Sequence, residues 1–183
     1  MNPTEIQERL GQRLGASLEC GGAGADAFVI VPAERWLEAA RALREGEGLD
    51  FDYLRSLTAV DRPAEGKIDV AAHLFSYKRR HALTLKTRLD RAAPRIASLG
   101  AVWPAAHWHE RELWEMFGVA IENHPDLRHL LLPEDWPGHP LRKDYAMPER
   151  YQGIPTRRPA PLAEPAAGTG PTNTGPKNPP EAP

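Results

Sequence analysis

Residues 67–90 read KIDVAAHLFSYKRRHALTLKTRLD, and their patterning decides the fold class. Ile68, Val70, Ala72 and Leu74 alternate with Asp69, Ala71, His73 and Phe75. Beyond the basic segment Lys78-Arg79-Arg80-His81, residues Leu83, Leu85, Thr87 and Leu89 alternate with Thr84, Lys86 and Arg88. A period of two with one polar face predicts two antiparallel strands joined as a hairpin, with one face on a core and one toward water. Upstream, the apolar run Ala27 to Val31 is halted by Pro32 and predicts a buried strand. Helical spacing surrounds these strands. Thr4 with Gln7 is a capping-box pattern, and Ile6, Leu10 and Leu14 recur every fourth residue, which predicts a helix over 4–15 ended by Gly15. Trp36, Leu37, Ala40 and Leu43 share one face of a second helix within 32–45, closed by the Gly-Glu-Gly turn 46–48. A third helix follows Pro104 and stops at Gly118. Together these predict an α+β domain: an about four-stranded mixed or antiparallel sheet covered by helices, with an extended Pro-rich C-terminal segment.

Composition narrows the function. In 183 residues the net charge is −2 and the pI about 6.4, so there is no excess of Lys and Arg, and no nucleic acid is expected as a partner. One cysteine, Cys20, is too few for an intrachain disulfide, a four-thiolate iron–sulfur cluster or a Cys-rich zinc ribbon. No run approaches the roughly 18 apolar residues a membrane span requires, and the opening MNPTEIQERLGQRLG lacks the apolar core of a signal peptide. The expectation is a soluble, cytoplasmic chain. Gly22-Ala23-Gly24-Ala25-Asp26-Ala27 matches the dinucleotide fingerprint, but it opens a strand and not a helix, so no helix N-terminus meets a pyrophosphate there. Residues 151–183 hold 9 of the 19 prolines and no Trp, Phe, Cys or Met, too little apolar surface to offset ordering. Residues 1–118 are therefore expected as a scaffold domain, 119–150 as an extended strap, and 151–183 as a mostly disordered tail, disordered from Leu162 onward; it is either a plain solvated tail or a peptide that orders on a partner, with Ile154, Arg157 and Arg158 as its best anchors.

The chemistry-bearing residues concentrate in 103–145, which holds four of the five tryptophans and five of the seven histidines. His107 and His109 are two apart on a predicted helix and point to different faces, while His124 and His139 each precede a proline; this is a poor pattern for metal ligands. At about 100° per residue, Glu110 falls on the apolar face defined by Ala106, Leu113 and Phe117, whereas Arg111, Glu112, Glu115 and Trp108 point the other way. A carboxylate on a buried face is costly unless paired, so Glu110 is expected to have a cationic partner, Arg128 or Arg142. A general acid or base with a raised pKa is the alternative. Trp108, on the opposite face, suits a protein interface. NHPDLR (123–128) and GHPLRKDY (138–145) each set a flexible residue before a fixed His-Pro turn that presents Arg, a rigid strap suited to lie along another protein; an ordinary loop folded back on its own domain is the alternative.

ERELWEMFG (110–118), NHPDLR and GHPLRKDY, in this order, closely resemble the signature of the C subunit of NADH-quinone oxidoreductase, respiratory complex I. A looser likeness runs upstream through LRSLTAVD (54–61) and the hairpin, so that it covers roughly residues 27–150. The family pattern falls on Glu110, Arg111 and Glu112, on Gly118, on His124, Pro125, Asp126, Leu127 and Arg128, and on Gly138, His139, Pro140, Leu141, Arg142, Lys143 and Asp144. Asn123 stands where a glycine is usual, and can adopt the same left-handed backbone. Ile121 stands where an aromatic is common.

The resemblance implies a non-catalytic scaffold subunit of the peripheral arm, without catalytic, cofactor-binding or metal-ligating residues of its own. It would pack against the quinone-site (D-type) subunit and the small iron–sulfur (B-type) subunit. Flavin (FMN) and iron–sulfur clusters would belong to the parent complex, which passes electrons from NADH to a quinone and couples this to proton translocation. The subunit would sit peripherally on the cytoplasmic side of the cell inner membrane, touching it only through the complex. The equivalent subunit of a membrane-bound hydrogenase or formate hydrogenlyase is the alternative.

Overall fold

The hairpin of residues 67–90 lies inside a five-stranded mixed sheet. The computed structural model describes residues 3–15 and 17–156. Its strands are β1 (Glu19–Gly21), β2 (Phe28–Ile30), β3 (Tyr53–Arg62), β4 (Lys67–Ser76) and β5 (His81–Asp90), in the order β1-β2-β5-β4-β3. β4 pairs antiparallel with β5 and with β3, β1 is antiparallel to β2, and β2 is parallel to β5. The sheet therefore has one strand more than the about four expected. The period of β3 slips by one residue at a bulge between Leu54 and Ser56, so Leu54, Leu57, Ala59 and Asp61 face inward without a continuous alternation in the sequence.

Helices α1 (Pro3–Leu14) and α2 (Trp36–Glu45) share one hydrophobic core with the sheet. Ile6, Leu10 and Leu14 from α1 and Trp36, Ala39, Ala40 and Leu43 from α2 are buried with Val29, Ile68, Val70, Leu83 and Leu85. α1 begins before Thr4, so the capping box does not form, and the Gln7 amide donates to the Phe28 carbonyl instead. Gly15, at φ +59°, follows the helix as expected.

A second, two-stranded parallel sheet, β6 (Arg95–Ala97) with β7 (Ala120–Glu122), brackets helix α3 (Ala106–Phe117) as a small βαβ unit. α3 packs along β3, the edge strand of the main sheet. Ile121 is buried in β7 opposite Ile96.

The chain divides into two compact units, Met1–Met147 and Pro148–Pro183. Residues 119–147 thus belong to the same unit as the sheet and helices. In the second unit, β8 (Arg150–Tyr151) and β9 (Ile154–Pro155) pair antiparallel across Gln152 and Gly153, both at positive φ, the conformation a tight hairpin turn requires. This hairpin ends at Pro155, before Leu162, where disorder was expected to begin. Arg157, Arg158 and the remainder of that expected tail lie outside the described residues.

His81, buried at the start of β5, donates through Nε2 to the Leu49 carbonyl at 2.7 Å and stacks on Phe51. Burial holds its pKa below the ordinary value. The unfolded chain then takes up the proton first as the pH falls, so stability is lost on going down from about pH 6.5. A thermal midpoint measured from pH 7 to pH 5 is expected to fall more in the wild type than in His81→Gln; equal slopes would contradict this.

Candidate functional site

Helix α3 is enclosed on two sides by different parts of the chain. Its first free N–H groups are closed by tight turns, with Ala106, His107 and Trp108 donating to the carbonyls of Trp103, Pro104 and Ala105. Glu110 is 1% exposed, on the face the sequence placed it. Its carboxylate accepts from the Ser98 hydroxyl at 2.7 Å and from the Leu99 amide at 2.5 Å, and so it ties α3 to the segment just after β6. The expected partners Arg128 and Arg142 are elsewhere. Arg128 pairs with Asp126 at 2.9 Å on the surface, and the Arg142 Nε donates to the Phe117 carbonyl at 2.7 Å. A hydroxyl and an amide satisfy the Glu110 oxygens without a second buried charge, which is why the cation is not needed there.

The other side of α3, expected to face solvent, is covered by the strap. Glu115 lies five residues, about 140° around the helix, from Glu110. It is 2% exposed. Its carboxylate accepts from the amides of Leu130, Leu131 and Leu132 and contacts His129 Nδ1 at 3.1 Å, so that one turn of the strap wraps around a single charge. Burial pushes the Glu115 pKa up, but the Leu131 and Leu132 amides, His129 and the Leu130 amide outweigh it and hold the group below its ordinary value. Arg111, also buried, donates to the carbonyls of Arg128 and His129. Glu112 is half-buried, and Trp108 alone of the outward set is widely exposed, at 61%.

The second His-Pro segment closes the C-terminal end of the helix. His139 Nδ1 meets the Glu115 carbonyl at 2.9 Å, the Leu141 amide donates to Met116, and Arg142 donates to Phe117. Gly118 sits at φ +71° with its amide on Trp114, and a Cβ there would come within 2.5 Å of the His139 ring. Only glycine meets both demands. His139 and Arg142 also place basic groups at the negative end of the helix dipole.

A carboxylate on β3 latches the strap's far end. Asp61, whose side chain is fully buried, accepts both Arg91 nitrogens at 2.7 and 3.0 Å and the Lys143 amide at 2.8 Å, while Arg91 also reaches Asp144 at 2.6 Å. Arg91 holds the Asp61 carboxyl below its ordinary pKa.

The first His-Pro turn is held by His124. Asn123 takes φ +61°, as its ability to replace glycine predicts. The Asp126 amide donates to His124 Nδ1, which fixes the neutral ring with its proton on Nε2, aimed at the His107 carbonyl at 3.1 Å. His107, Glu110 and His124 bring three potential ligand atoms within 4.8 Å of one another. His124 is engaged through both ring nitrogens and Glu110 through both oxygens, while His107 Nδ1 is buried without a hydrogen-bond partner among the described residues. Pro125, Asp126, Arg128, Gly138, Leu141, Lys143 and Asp144 are exposed, and Pro140 is half-buried.

The described arrangement therefore gathers Glu110, Arg111, Gly118, His124, His139 and Arg142 about one helix. Glu115, which the sequence placed on the outward face, and Asp61 and Arg91 bear as much of the strap's attachment, and none of the three was among the site residues expected from sequence. For Glu115 the available signal was its offset from Glu110 together with the amides of the Leu130–Leu132 run. Asp61 meets Lys143 across 82 residues of chain, and nothing local signals that contact.

Residues 29–152 match the family described as respiratory-chain NADH dehydrogenase, 30 Kd subunit. The chain belongs to this family. It is 41% identical over 147 residues to the C subunit of NADH-quinone oxidoreductase from Roseiflexus castenholzii, covering 78% of this chain and 83% of that one. The corresponding protein of Chlorobium phaeobacteroides is 41% identical over 119 residues, 64% of this chain and 72% of that one. Among solved structures, a chain of the membrane-bound sulfane sulfur reductase, an archaeal respiratory membrane complex, superposes with a TM-score of 0.68 at 27% identity, covering 79% of this chain and 85% of that one. A trypsin-resistant fragment of Nqo5 shares the fold, with a TM-score of 0.55 at 24% identity over 68% of this chain and 99% of the fragment. As a 30 Kd subunit of complex I the chain is a component of an NADH-quinone oxidoreductase. No helix among its described residues is long and apolar enough to cross a membrane.

Glu115→Gln is expected to lose about 2–4 kcal/mol, because an amide offers an N–H where three backbone N–H groups require an acceptor. Gly118→Ala is expected to lose about 1–2 kcal/mol or more from the left-handed backbone and the His139 clash. Denaturant titration checks both, and an unchanged midpoint in either would contradict the arrangement. Asp61 and Glu115 have folded pKa values below their unfolded ones, so their contribution is present above about pH 4 and is lost as the pH falls further. Glu115→Gln should therefore flatten the acid limb of the stability curve.

Proposed function

We propose that this chain is a non-catalytic scaffold subunit of the peripheral arm of a proton-translocating NADH-quinone oxidoreductase. The observation that carries the reading is the strap: residues 124–145, pinned at Glu115, at the end of α3 and at Asp61, hold an outward surface in place before any partner arrives. Trp108 on α3 and Leu131, Leu141 and Met147 on the strap are each about half or more exposed, as are the charged Asp126, Arg128 and Lys143. Exposed Trp and other large apolar side chains on one helix and the segment that covers it are the residue types a protein interface favours. Because the strap's backbone is already ordered, docking costs little further conformational entropy.

The partners proposed for this surface are the quinone-site (D-type) and small iron–sulfur (B-type) subunits, on the cytoplasmic side of the cell inner membrane. Trp108, Leu141 and Lys143 would contact the partner, whereas Glu110, Arg111, Gly118, His124, His139 and Arg142 hold the strap. Glu112, Pro125, Asp126, Arg128, Gly138, Pro140 and Asp144 shape its turns and rim. FMN and the iron–sulfur clusters are assigned to other subunits, and the isolated chain is expected to turn over neither NADH nor quinone. Residues 1–118 act as scaffold, 119–150 as docking strap and 151–183 as tail.

A second reading has the sulfane sulfur reductase likeness behind it: the same module in a membrane complex of different chemistry, as in a hydrogenase or formate hydrogenlyase. Flavin-bearing NADH-oxidising subunits co-purifying with the tagged chain would favour complex I, and a nickel-bearing large subunit the alternative.

The test is co-purification from membranes with Trp108→Ala and Leu141→Ala chains. Retention of the D-type subunit is expected to fall about tenfold with the thermal midpoint unchanged, the loss expected when apolar anchors of an interface are truncated. Full retention with both variants would overturn the docking assignment, and NADH or quinone turnover by the isolated chain would overturn the scaffold reading.

A further inference from the structure

The main sheet has a second face, turned away from α1 and α2. The alternation of β4 sends Asp69, Ala71, His73 and Phe75 to it. The register places Tyr53 and Ala82 beside Phe75, Ser56 and Thr84 beside His73, and Thr58 and Lys86 beside Ala71. Phe28 adjoins from β2, opposite Thr84.

The charges on this face fall into two zones. Around Asp69 they are balanced: Asp69 takes Arg62 at 2.6 Å and Arg88 at 3.9 Å, and Arg88 also takes Glu19. At the hairpin turn Asp50 takes Lys78 and Arg79. Between these zones lie Arg55, on the β3 bulge, and Lys86, on β5. Among the described residues neither has an ion pair with a carboxylate. Lys86 Nζ sits 3.8 Å from the centre of the Phe28 ring. A Cβ at Gly21 would come within 2.6 Å of that ring, so glycine at this place in β1 makes room for it. Arg55 is exposed beside the inward Leu54, and Lys86 lies opposite Ala71, so both belong to this face with His73, whose pKa is held down first by burial and then by Arg55 and Lys86. Tyr53, Phe75 and Tyr77 form a continuous aromatic group at the upper end, with centroid separations of 5.4 and 5.2 Å, and Tyr77 is 64% exposed.

We propose that this face is a second docking surface, separate from α3 and the strap, and that it takes an extended acidic segment of another protein chain with an apolar side chain for the Tyr53–Phe75–Tyr77 group. The cations select the occupant. β3 and β5 are two strand spacings apart, about 10 Å, and Lys86, level with Ala71, lies two to three residues along the sheet from Arg55, so about 12 Å separates them; an extended chain spans that in about four residues, and carboxylates at i and i+4 share one side of it, so one segment meets both. The aromatic group beside them gives that segment a place for an apolar side chain.

The test uses the wild-type chain in its assembled complex and again alone. Lys86 is labelled with an amine-acylating reagent, and a photoreactive residue at Tyr77 maps the neighbour. Acylation of Lys86 is expected to be about tenfold slower in the complex, and the cross-link to reach a protein segment carrying Asp or Glu. Arg55→Glu with Lys86→Glu is expected to weaken retention of that neighbour about tenfold, Lys86→Arg to retain it, and reversal of the neighbour's carboxylates to Lys to restore it. Equal acylation in both states, or a cross-link to lipid, to nucleic acid or to a segment without carboxylates, would overturn the proposal. Trp108→Ala and Leu141→Ala report on the other surface, so either assignment can fail alone.

Discussion

The last carbonyl groups of an α-helix have no partner inside the helix, and at the end of α3 every one from Leu113 to Phe117 is closed by the chain that follows it. Val119 and Gly118 take the first two, and His139, Leu141 and Arg142 take the next three. This closure needs the strap to return within hydrogen-bond reach of the helix end, and Gly118 is the residue that lets it approach. Glu115 applies the same constraint from the side, since a buried carboxylate must be satisfied and three successive strap amides do so. The outward surface of the strap follows from these inward obligations.

Much of this was legible in the sequence. The alternation over 67–90 predicted β4 and β5, and the helical spacing placed α1, α2 and α3 within a residue or two apart from the three-residue 3-10 turn that precedes α2. Glu110 is buried on the face its angle predicted. What failed was its partner, because helical angle reports that a side chain is buried and says nothing of which distant hydroxyl or amide arrives to meet it. The same limit hid Glu115: a charged helical face reads as solvent-facing until another segment covers it. β3 was obscured by its bulge, which breaks the alternation that marks a strand, and the Asp61–Lys143 latch has no local pattern at all.

Two carboxylates on one helix divide the labour. Glu110 fixes α3 to the turn after β6, and through the neighbouring His107 and His124 to the first His-Pro turn; Glu115 fixes the strap's middle. Asp61 and Arg91 carry the attachment on to the main sheet. In this member of the complex I 30 Kd subunit family the buried polar residues hold the chain's own shape, and Trp108, Leu141 and Met147 are exposed.

Amide hydrogen exchange on the full chain without partners tests this account most directly. If the strap is part of the domain, the amides of Leu131, Leu132 and Leu141 exchange as slowly as those in the middle of α3, and all slow amides are released together. Exchange of these three at free-peptide rates while α3 stays protected would show that the strap is ordered only by its partners, and would contradict the account.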